Sequence, residues 1–145
     1  MEERVVLCWT EDGNVARLYG ELDLSTRTRF ESLLLDALEC GEGYFAVDLN
    51  HLRFMDSQGL HMLSRIRDRC EERGRRFYLL CAGGPCRKVL EAAGVNGAFD
   101  LKRRCADIPE GATGEYAVLD PPCGASPRHR GKESVSKGGK RCASR

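Results

Sequence analysis

Residues 54–60 read Phe-Met-Asp-Ser-Gln-Gly-Leu, and this stretch joins two segments with different hydrophobic patterns. Before it, residues 44–49 form a short apolar run typical of a buried strand. After it, apolar side chains recur every three or four positions as far as about Arg73, which is typical of a helix. Asp56 or Ser57 can cap that helix, because their side-chain oxygens accept hydrogen bonds from free backbone N–H groups. The stretch therefore predicts a strand-to-helix junction, the repeating unit of an α/β fold.

The segments on either side of this junction extend the same pattern. The chain opens with two strand-like runs, 5–9 and 15–19, and the Asp12-Gly13 turn between them predicts an antiparallel hairpin. We therefore expect an α/β fold: a mostly parallel sheet of four to five strands with helices, in the order β-β-α-β-α-β-α, with the first strand at an antiparallel edge. The predicted helices cover 26–40, 56–73 and 85–93, and the further predicted strands cover 44–49, 77–81 and 98–101.

Charge divides the chain into two parts. Residues 121–145 contain seven basic residues against Glu133 alone, a net charge of +6, whereas the other 120 residues carry −5. The C-terminal segment is rich in Pro, Gly, Ser and Lys and has few apolar side chains to bury, which predicts disorder. We predict a folded domain over residues 1–108 and a low-complexity basic tail over 109–145. Such a tail can contact nucleic acid or an acidic partner, or stay solvated without a role; the domain itself is not expected to bind nucleic acid.

The composition limits the class of protein. Hydrophobic residues make up 41% of the 145 and charged residues 31%, and no apolar run approaches the ~20 residues that cross a bilayer. The N-terminal MEERVVLCW lacks the pattern of a signal peptide, so we expect a cytoplasmic protein without a membrane partner. The eight cysteines are scattered and include no C-x2-C pair. We expect them to be reduced thiols, and we predict no metal and no cofactor.

The simplest role for Ser57 is to cap the second helix. Ser25 has the same predicted role at the first helix, where Thr26 or Thr28 can share it. Capping does not explain Gly59, because a glycine within a helix costs ~1 kcal/mol relative to alanine.

Two chemical roles for this region fit the sequence poorly. A hydrolase nucleophile at Ser57 needs the G-x-S-x-G elbow, but Met55 stands at the first glycine position. His51 and His61 are present without an evident third member of a triad. A phospho-aspartate at Asp48, which ends a predicted strand, needs further acids to hold magnesium. The acidic residues after the first strand lie in the predicted hairpin turn, which places them poorly for that purpose.

A regulatory phosphoserine at Ser57 fits better. The N–H groups and the dipole at a helix N-terminus favour anionic oxygens, so the fold tolerates a phosphate there. The added charge repels Asp56 and any acidic surface docked at that place. One modification therefore changes the potential of a binding surface without unfolding the domain.

Two motifs at this separation carry a resemblance to a known family. Gly20-Glu21-Leu22-Asp23, with Thr26 after it, and residues 54–60 resemble the STAS domain of bacterial anti-sigma factor antagonists. The resemblance continues through Leu90-Glu91-Ala92-Ala93-Gly94-Val95 and covers about residues 4–103. It implies the STAS fold and a regulatory binding module that is not an enzyme.

The resemblance also implies partners and a switch. Ser57 matches the serine that a partner anti-sigma factor, an ATP-dependent serine kinase, phosphorylates, and a PP2C-type phosphatase reverses the reaction. The unphosphorylated antagonist binds the anti-sigma factor and frees the sigma factor, so the protein regulates sigma-factor-dependent transcription. Asp23 and Asp56 match acidic positions near the phospho-acceptor in the family. The expected partner-binding residues are Asp23, Ser25, Thr26, Asp56, Ser57, Gln58, Gly59 and His61.

Three features depart from the family pattern. Gln58 stands where members often have Ser or Thr, His61 is bulkier than the small residue often found there, and the extension after Arg103 is not part of the pattern. None of these departures removes the serine, so the switch remains the expected function. STAS domains also serve in stress-sensing and transport complexes, and the alternative function is a STAS adaptor or scaffold that does not switch, within such a complex.

Overall fold

The structure is a computed structural model that describes residues 3–10, 12–94, 96–109 and 115–118. Seven strands and three α-helices occur in these residues, together with two short 3-10 helices at Asn96–Ala98 and Cys105–Asp107. In chain order the elements are β1 (Arg4–Trp9), β2 (Gly13–Leu22), α1 (Arg27–Cys40), β3 (Tyr44–Asp48), β4 (Leu52–Met55), α2 (Ser57–Glu72), β5 (Phe77–Leu80), α3 (Gly84–Ala92), β6 (Leu101–Lys102) and β7 (Glu115–Val118).

The sheet is mostly parallel, as predicted. Six strands follow one another in the order β6-β5-β3-β2-β1-β7, and β4 pairs with the end of β2. The pairs β2–β3, β2–β4, β3–β5 and β5–β6 are parallel. The predicted hairpin is confirmed, because β1 pairs with β2 antiparallel from Arg4↔Tyr19 to Trp9↔Asn14. The α/β class and the antiparallel side of the sheet are therefore confirmed.

Two strands were not predicted. Strand β4 has only four residues, and its buried side chains, Leu52 and Met55, are three positions apart, so it lacks the alternation typical of a strand. Strand β7 lies within the segment that the sequence assigns to the tail, and it pairs antiparallel with β1. Strand β7 rather than β1 therefore forms the antiparallel edge of the described sheet. Residues 119–145, to which the prediction of disorder chiefly applies, lie outside the described residues.

The helices cover one face of the sheet with a continuous apolar core. Each of α1 and α2 buries one apolar face, as the recurrence of apolar side chains every three or four positions predicts for α2. The core residues from these two helices are Phe30, Leu33, Leu34, Ala37, Leu38, Leu60, Met62, Leu63, Ile66 and Cys70. This packing fixes the N-termini of both helices relative to the strand ends.

The opposite face of the sheet has its own apolar cluster. Ile108, only 3% exposed, packs there with side chains from β1, β2, β3 and β5. Ile108 lies beyond Arg103, where the family resemblance ends, so part of the extension belongs to the folded domain. The other members of this cluster are Cys8, Val15, Tyr44, Ala46, Tyr78 and Leu80.

A buried guanidinium joins three elements at the end of the sheet away from Ser57. Arg75 donates hydrogen bonds to the carbonyl oxygens of Gly43 at 2.8 Å and Tyr44 at 2.7 Å, to that of Leu38, and to Oδ1 of Asn14. The residue is 7% exposed, and burial lowers the pKa of its guanidinium. Arg75 therefore connects the end of α1, the start of β3 and the start of β2.

The cysteines differ from expectation at one position. Cys40, Cys70, Cys81 and Cys86 are free, but Cys8 is disulfide-bonded, so the expectation of eight reduced thiols is wrong there. Scattered positions along a sequence do not reveal which side chains the fold brings together. Burial raises the pKa of Cys70 and of Cys86 to about 12, which keeps both as apolar packing residues.

Two further findings concern the described part of the chain alone. It contains no group of three or more His, Cys, Asp or Glu side chains arranged to hold a metal ion. It also contains no helix that is both long enough and apolar enough to span a bilayer.

Candidate functional site

The carboxyl ends of two parallel strands bring the predicted site residues together. Strands β2 and β4 end side by side, with Leu22 opposite Met55, and the backbone N–H of Asp56 donates to the Leu22 carbonyl oxygen at 3.2 Å. The segments that follow, 23–26 and 56–59, therefore meet at one end of the sheet. This is the end at which open parallel sheets place their binding sites.

Ser57 is the first residue of α2 and is exposed. Asp56 is the N-cap: its Oδ1 accepts hydrogen bonds from the N–H groups of Gln58 at 2.9 Å and Gly59 at 3.4 Å, which confirms the predicted cap. The Ser57 hydroxyl makes no hydrogen bond with any residue that the structure describes. Asp56 performs the capping, so the hydroxyl of Ser57 is not used for it.

Gly59 is explained by packing rather than by backbone conformation. Its φ is not positive, but a Cβ at this position would lie 2.7 Å from Met55 Cγ and 2.9 Å from Leu22 Cδ2. The absence of a side chain lets the first turn of α2 lie directly on the ends of β2 and β4. Gly59 is buried, so it shapes the site from beneath.

The loop from β2 to α1 is ordered by one carboxylate. Asp23 Oδ1 accepts hydrogen bonds from the Ser25 hydroxyl at 2.8 Å and from the N–H groups of Ser25 at 3.0 Å and Thr26 at 3.1 Å. These bonds, led by that from the Ser25 hydroxyl, lower the pKa of the Asp23 carboxyl. The loop presents Leu24, which is 67% exposed.

The first helix begins differently from the prediction. Thr26, not Ser25, occupies the N-cap position, and its side chain makes no capping bond. Its hydroxyl instead donates to the Glu21 carbonyl oxygen at 2.7 Å and accepts from the Asp23 N–H at 3.0 Å. The sequence could not distinguish a hydroxyl that caps a helix from one that closes the preceding turn, because both functions use the same residue types.

A contact that the sequence did not reveal connects the two helix starts. Arg27, the first residue of α1, donates from Nη1 to Gln58 Oε1 at 2.8 Å across 31 positions of sequence. His61 is exposed and lies four residues after Ser57, so both occupy the same side of α2. Nothing in the local pattern around residue 27 indicated this pairing.

The geometry does not support a hydrolase nucleophile at Ser57 or a phospho-aspartate at Asp48. Asp48 is 4% exposed, and its carboxylate pairs with Arg17 at 3.4 Å. His51 stacks on Tyr19 with ring centroids 5.0 Å apart, and among the described residues neither His51 nor His61 bonds to Ser57. A cavity of about 470 Å³ lies at the far end of α2, and its lining residues, which include Arg67 and Phe77, do not include Ser57.

Fold and site together define a small α/β domain with an exposed surface at the ends of β2 and β4. The family model of the STAS domain matches residues 10–108, and the chain belongs to the STAS domain family. No curated protein sequence matches the chain.

Three solved structures are similar to this one. An anti-sigma factor antagonist from Mycobacterium paratuberculosis has 19% identity over 73% of this chain and 90% of its own, with a TM-score of 0.67. A proposed anti-sigma factor antagonist from Thermotoga maritima has 18% identity over 70% of this chain and 87% of its own, with a TM-score of 0.60. The anti-sigma factor antagonist SpoIIAA in its unphosphorylated form has 26% identity over 61% and 81%, with a TM-score of 0.49.

Proposed function

We propose that this protein is an anti-sigma factor antagonist that binds an anti-sigma factor kinase and is switched off by phosphorylation of Ser57. A PP2C-type phosphatase restores the binding form, and the cycle controls sigma-factor-dependent transcription in the cytoplasm. The protein is the substrate and binding partner in this cycle, not an enzyme. The observation that carries the proposal is the exposed Ser57 hydroxyl, free of hydrogen bonds to described residues, at the N-terminus of α2.

The surface around Ser57 supports recognition of a protein. Leu24, 67% exposed, is held in a loop that Asp23 orders through the N–H groups of Ser25 and Thr26. A rigid loop loses little conformational entropy on binding, and an exposed leucine adds apolar area. Thr26 supports this surface through its bond to Glu21, and Gln58 and His61 complete it on the side of α2.

A phosphate on Ser57 changes this surface by its charge. It adds about −1.5 to −2 charges at neutral pH, and the N-terminus of α2 accommodates it without unfolding. Across an interface the same charge meets acidic groups or ATP phosphates of the kinase, and a mismatched buried charge costs ~2–5 kcal/mol. Because each 1.4 kcal/mol is about tenfold in affinity, this releases a partner bound at micromolar strength.

Titration calorimetry with the anti-sigma factor kinases of the same genome, with and without ATP, tests the proposal. We expect S57A to bind as wild type does and to remain bound when ATP is added, whereas S57D binds more weakly. The matched control is S32A, which changes an exposed serine of α1 and should be released by ATP as wild type is.

Two outcomes contradict the switch. If wild type and S57A respond identically to ATP while binding is intact, Ser57 is not the regulatory site. If S57A and S57D both bind as wild type and ATP has no effect on any variant, the non-switching STAS adaptor is the correct function.

A further inference from the structure

Arg27 holds unused hydrogen-bond donors beside Gln58, the residue that follows Ser57. Its Nη1 donates to Gln58 Oε1 at 2.8 Å, and Gln58 directly follows Ser57 in the chain. Its Nε is buried and has no hydrogen-bond partner among the described residues. A guanidinium carries five N–H donors, so this single bond leaves most of its capacity unused.

The charge of Arg27 is also unpaired within the described part of the chain. The contrast is clear further along the same two helices, where Arg65 of α2 pairs with Glu31 of α1 at 2.6 Å. The carboxylates of Asp23 and Asp56 are already engaged, that of Asp23 with its own loop and that of Asp56 with the cap of α2. A partly buried cation without a counter-ion does not contribute to stability. Its position therefore indicates a function.

We propose that Arg27 is the side chain that receives the phosphate of phosphorylated Ser57. The guanidinium leaves Gln58 Oε1 and donates to two phosphate oxygens at once, a geometry that its planar fork suits and a lysine does not reproduce. This inference rests on the proposed phosphorylation of Ser57 and states how the antagonist itself holds the modified form.

The receiving role has two consequences. The cation offsets the repulsion between the phosphate and the Asp56 carboxylate, which caps the same helix, and so it favours the dianionic phosphate. It also ties the start of α1 to the start of α2 by charge-assisted bonds in place of the bond to the Gln58 amide. The phosphate is therefore partly covered by the chain that carries it.

The direct test is a titration of the phosphate itself. Phosphoserine is incorporated at position 57 during synthesis, and phosphorus NMR follows its second ionisation in wild type, R27A, R27K and R29A. We expect the second pKa to be about 0.5–1 unit lower in wild type than in R27A, because a nearby cation favours the dianion. R27K should fall between them, and R29A, which removes an exposed arginine two residues further along α1, should titrate as wild type does.

Other titratable groups near the phosphate are controlled in the same experiment. They are the carboxyl groups of Asp23 and Asp56 and the imidazole of His61. Because histidine side chains change charge near neutral pH, the titrations are repeated in the H61Q background. The difference between wild type and R27A should persist there.

Equal pKa values for the phosphate in wild type and R27A overturn the inference. If R27A fails to fold, the comparison of wild type with R27K decides, and equal values there overturn it as well. Since synthesis installs the phosphate, the result does not depend on any kinase. A kinase that never modifies Ser57 contradicts the proposed function alone, and an unchanged phosphate pKa contradicts the role of Arg27 alone.

Discussion

Gly59 determines how closely α2 approaches the ends of β2 and β4. We expect G59A to lower the free energy of unfolding by about 1–2 kcal/mol. Forcing a methyl group against Met55 and Leu22 typically costs about 1–3 kcal/mol, and the better helix propensity of alanine offsets up to ~1 kcal/mol of that cost. Urea unfolding measures the change. G97A is the control, because a Cβ at Gly97 meets nothing within 4 Å. A neutral G59A would show that α2 can shift without cost.

Asp23 makes the loop that precedes α1 sensitive to acid. Hydrogen bonds to Ser25 and Thr26 lower the pKa of its carboxyl below the ordinary value of 3.8. A lowered pKa in the folded state means that the contribution of the carboxylate is fully present above pH 3.8 and is lost as the pH falls through the lowered value.

The pH dependence of the Ser25 and Thr26 amide signals in proton–nitrogen NMR measures this effect. The midpoint of the shift in both signals should lie below pH 3.8. In D23N, which keeps the size of the side chain, the same acid-dependent shift should be absent. A midpoint above 3.8 in wild type would show that the carboxylate does not order the loop.

At the scale of elements, periodicity and capping were sufficient to predict the three helices and most of the strands. The apolar stripe of α1, from Phe30 to Leu38, and the Asp56 cap of α2 can be recognised in the sequence, because the residues that form a helix face or a cap lie within a few positions of one another. Strand β4 could not be predicted from the sequence, because it is short and buries only Leu52 and Met55. Contacts such as Arg27–Gln58 depend on which strands become neighbours, and no local pattern encodes that.

Strand β7 gives a prediction about truncation. Melting temperatures are compared under reducing conditions, because Cys8 is disulfide-bonded and its partner is not one of the four free cysteines. Removing 121–145 leaves every described strand pairing intact, so the melting temperature should stay nearly unchanged. Removing 115–145 deletes β7 and leaves the outer edge of β1 without its partner from Val6 to Trp9. We expect a fall of about 4 °C or more, since each 1 kcal/mol shifts Tm by roughly that amount in a domain of this size. Equal melting temperatures for the two truncations, measured by circular dichroism, would show that β7 adds nothing.

At the scale of the whole molecule, Arg75 connects segments that lie far apart in the sequence. In R75A, the carbonyl oxygens of Leu38, Gly43 and Tyr44 and the side chain of Asn14 lose their donor. An unsatisfied buried polar group costs ~1–3 kcal/mol, so we expect a loss of at least about 3 kcal/mol in the free energy of unfolding. Guanidinium chloride unfolding measures it.

Two comparisons calibrate the Arg75 result. R75K should recover part of the loss, because an ammonium group supplies three donors rather than five. R104A, at an exposed arginine, should stay within about 0.5 kcal/mol of wild type, as surface changes usually do. A loss in R75A no larger than that in R104A would contradict the connecting role of Arg75.

The direction of β7 sets how the last described strand relates to the site. Val118 lies opposite Val6, and β7 runs antiparallel to β1 and therefore in the same direction as β2, toward the end of the sheet that carries Ser57. Strand direction at the outer edge of the sheet, rather than distance along the sequence, is therefore what relates β7 to Ser57.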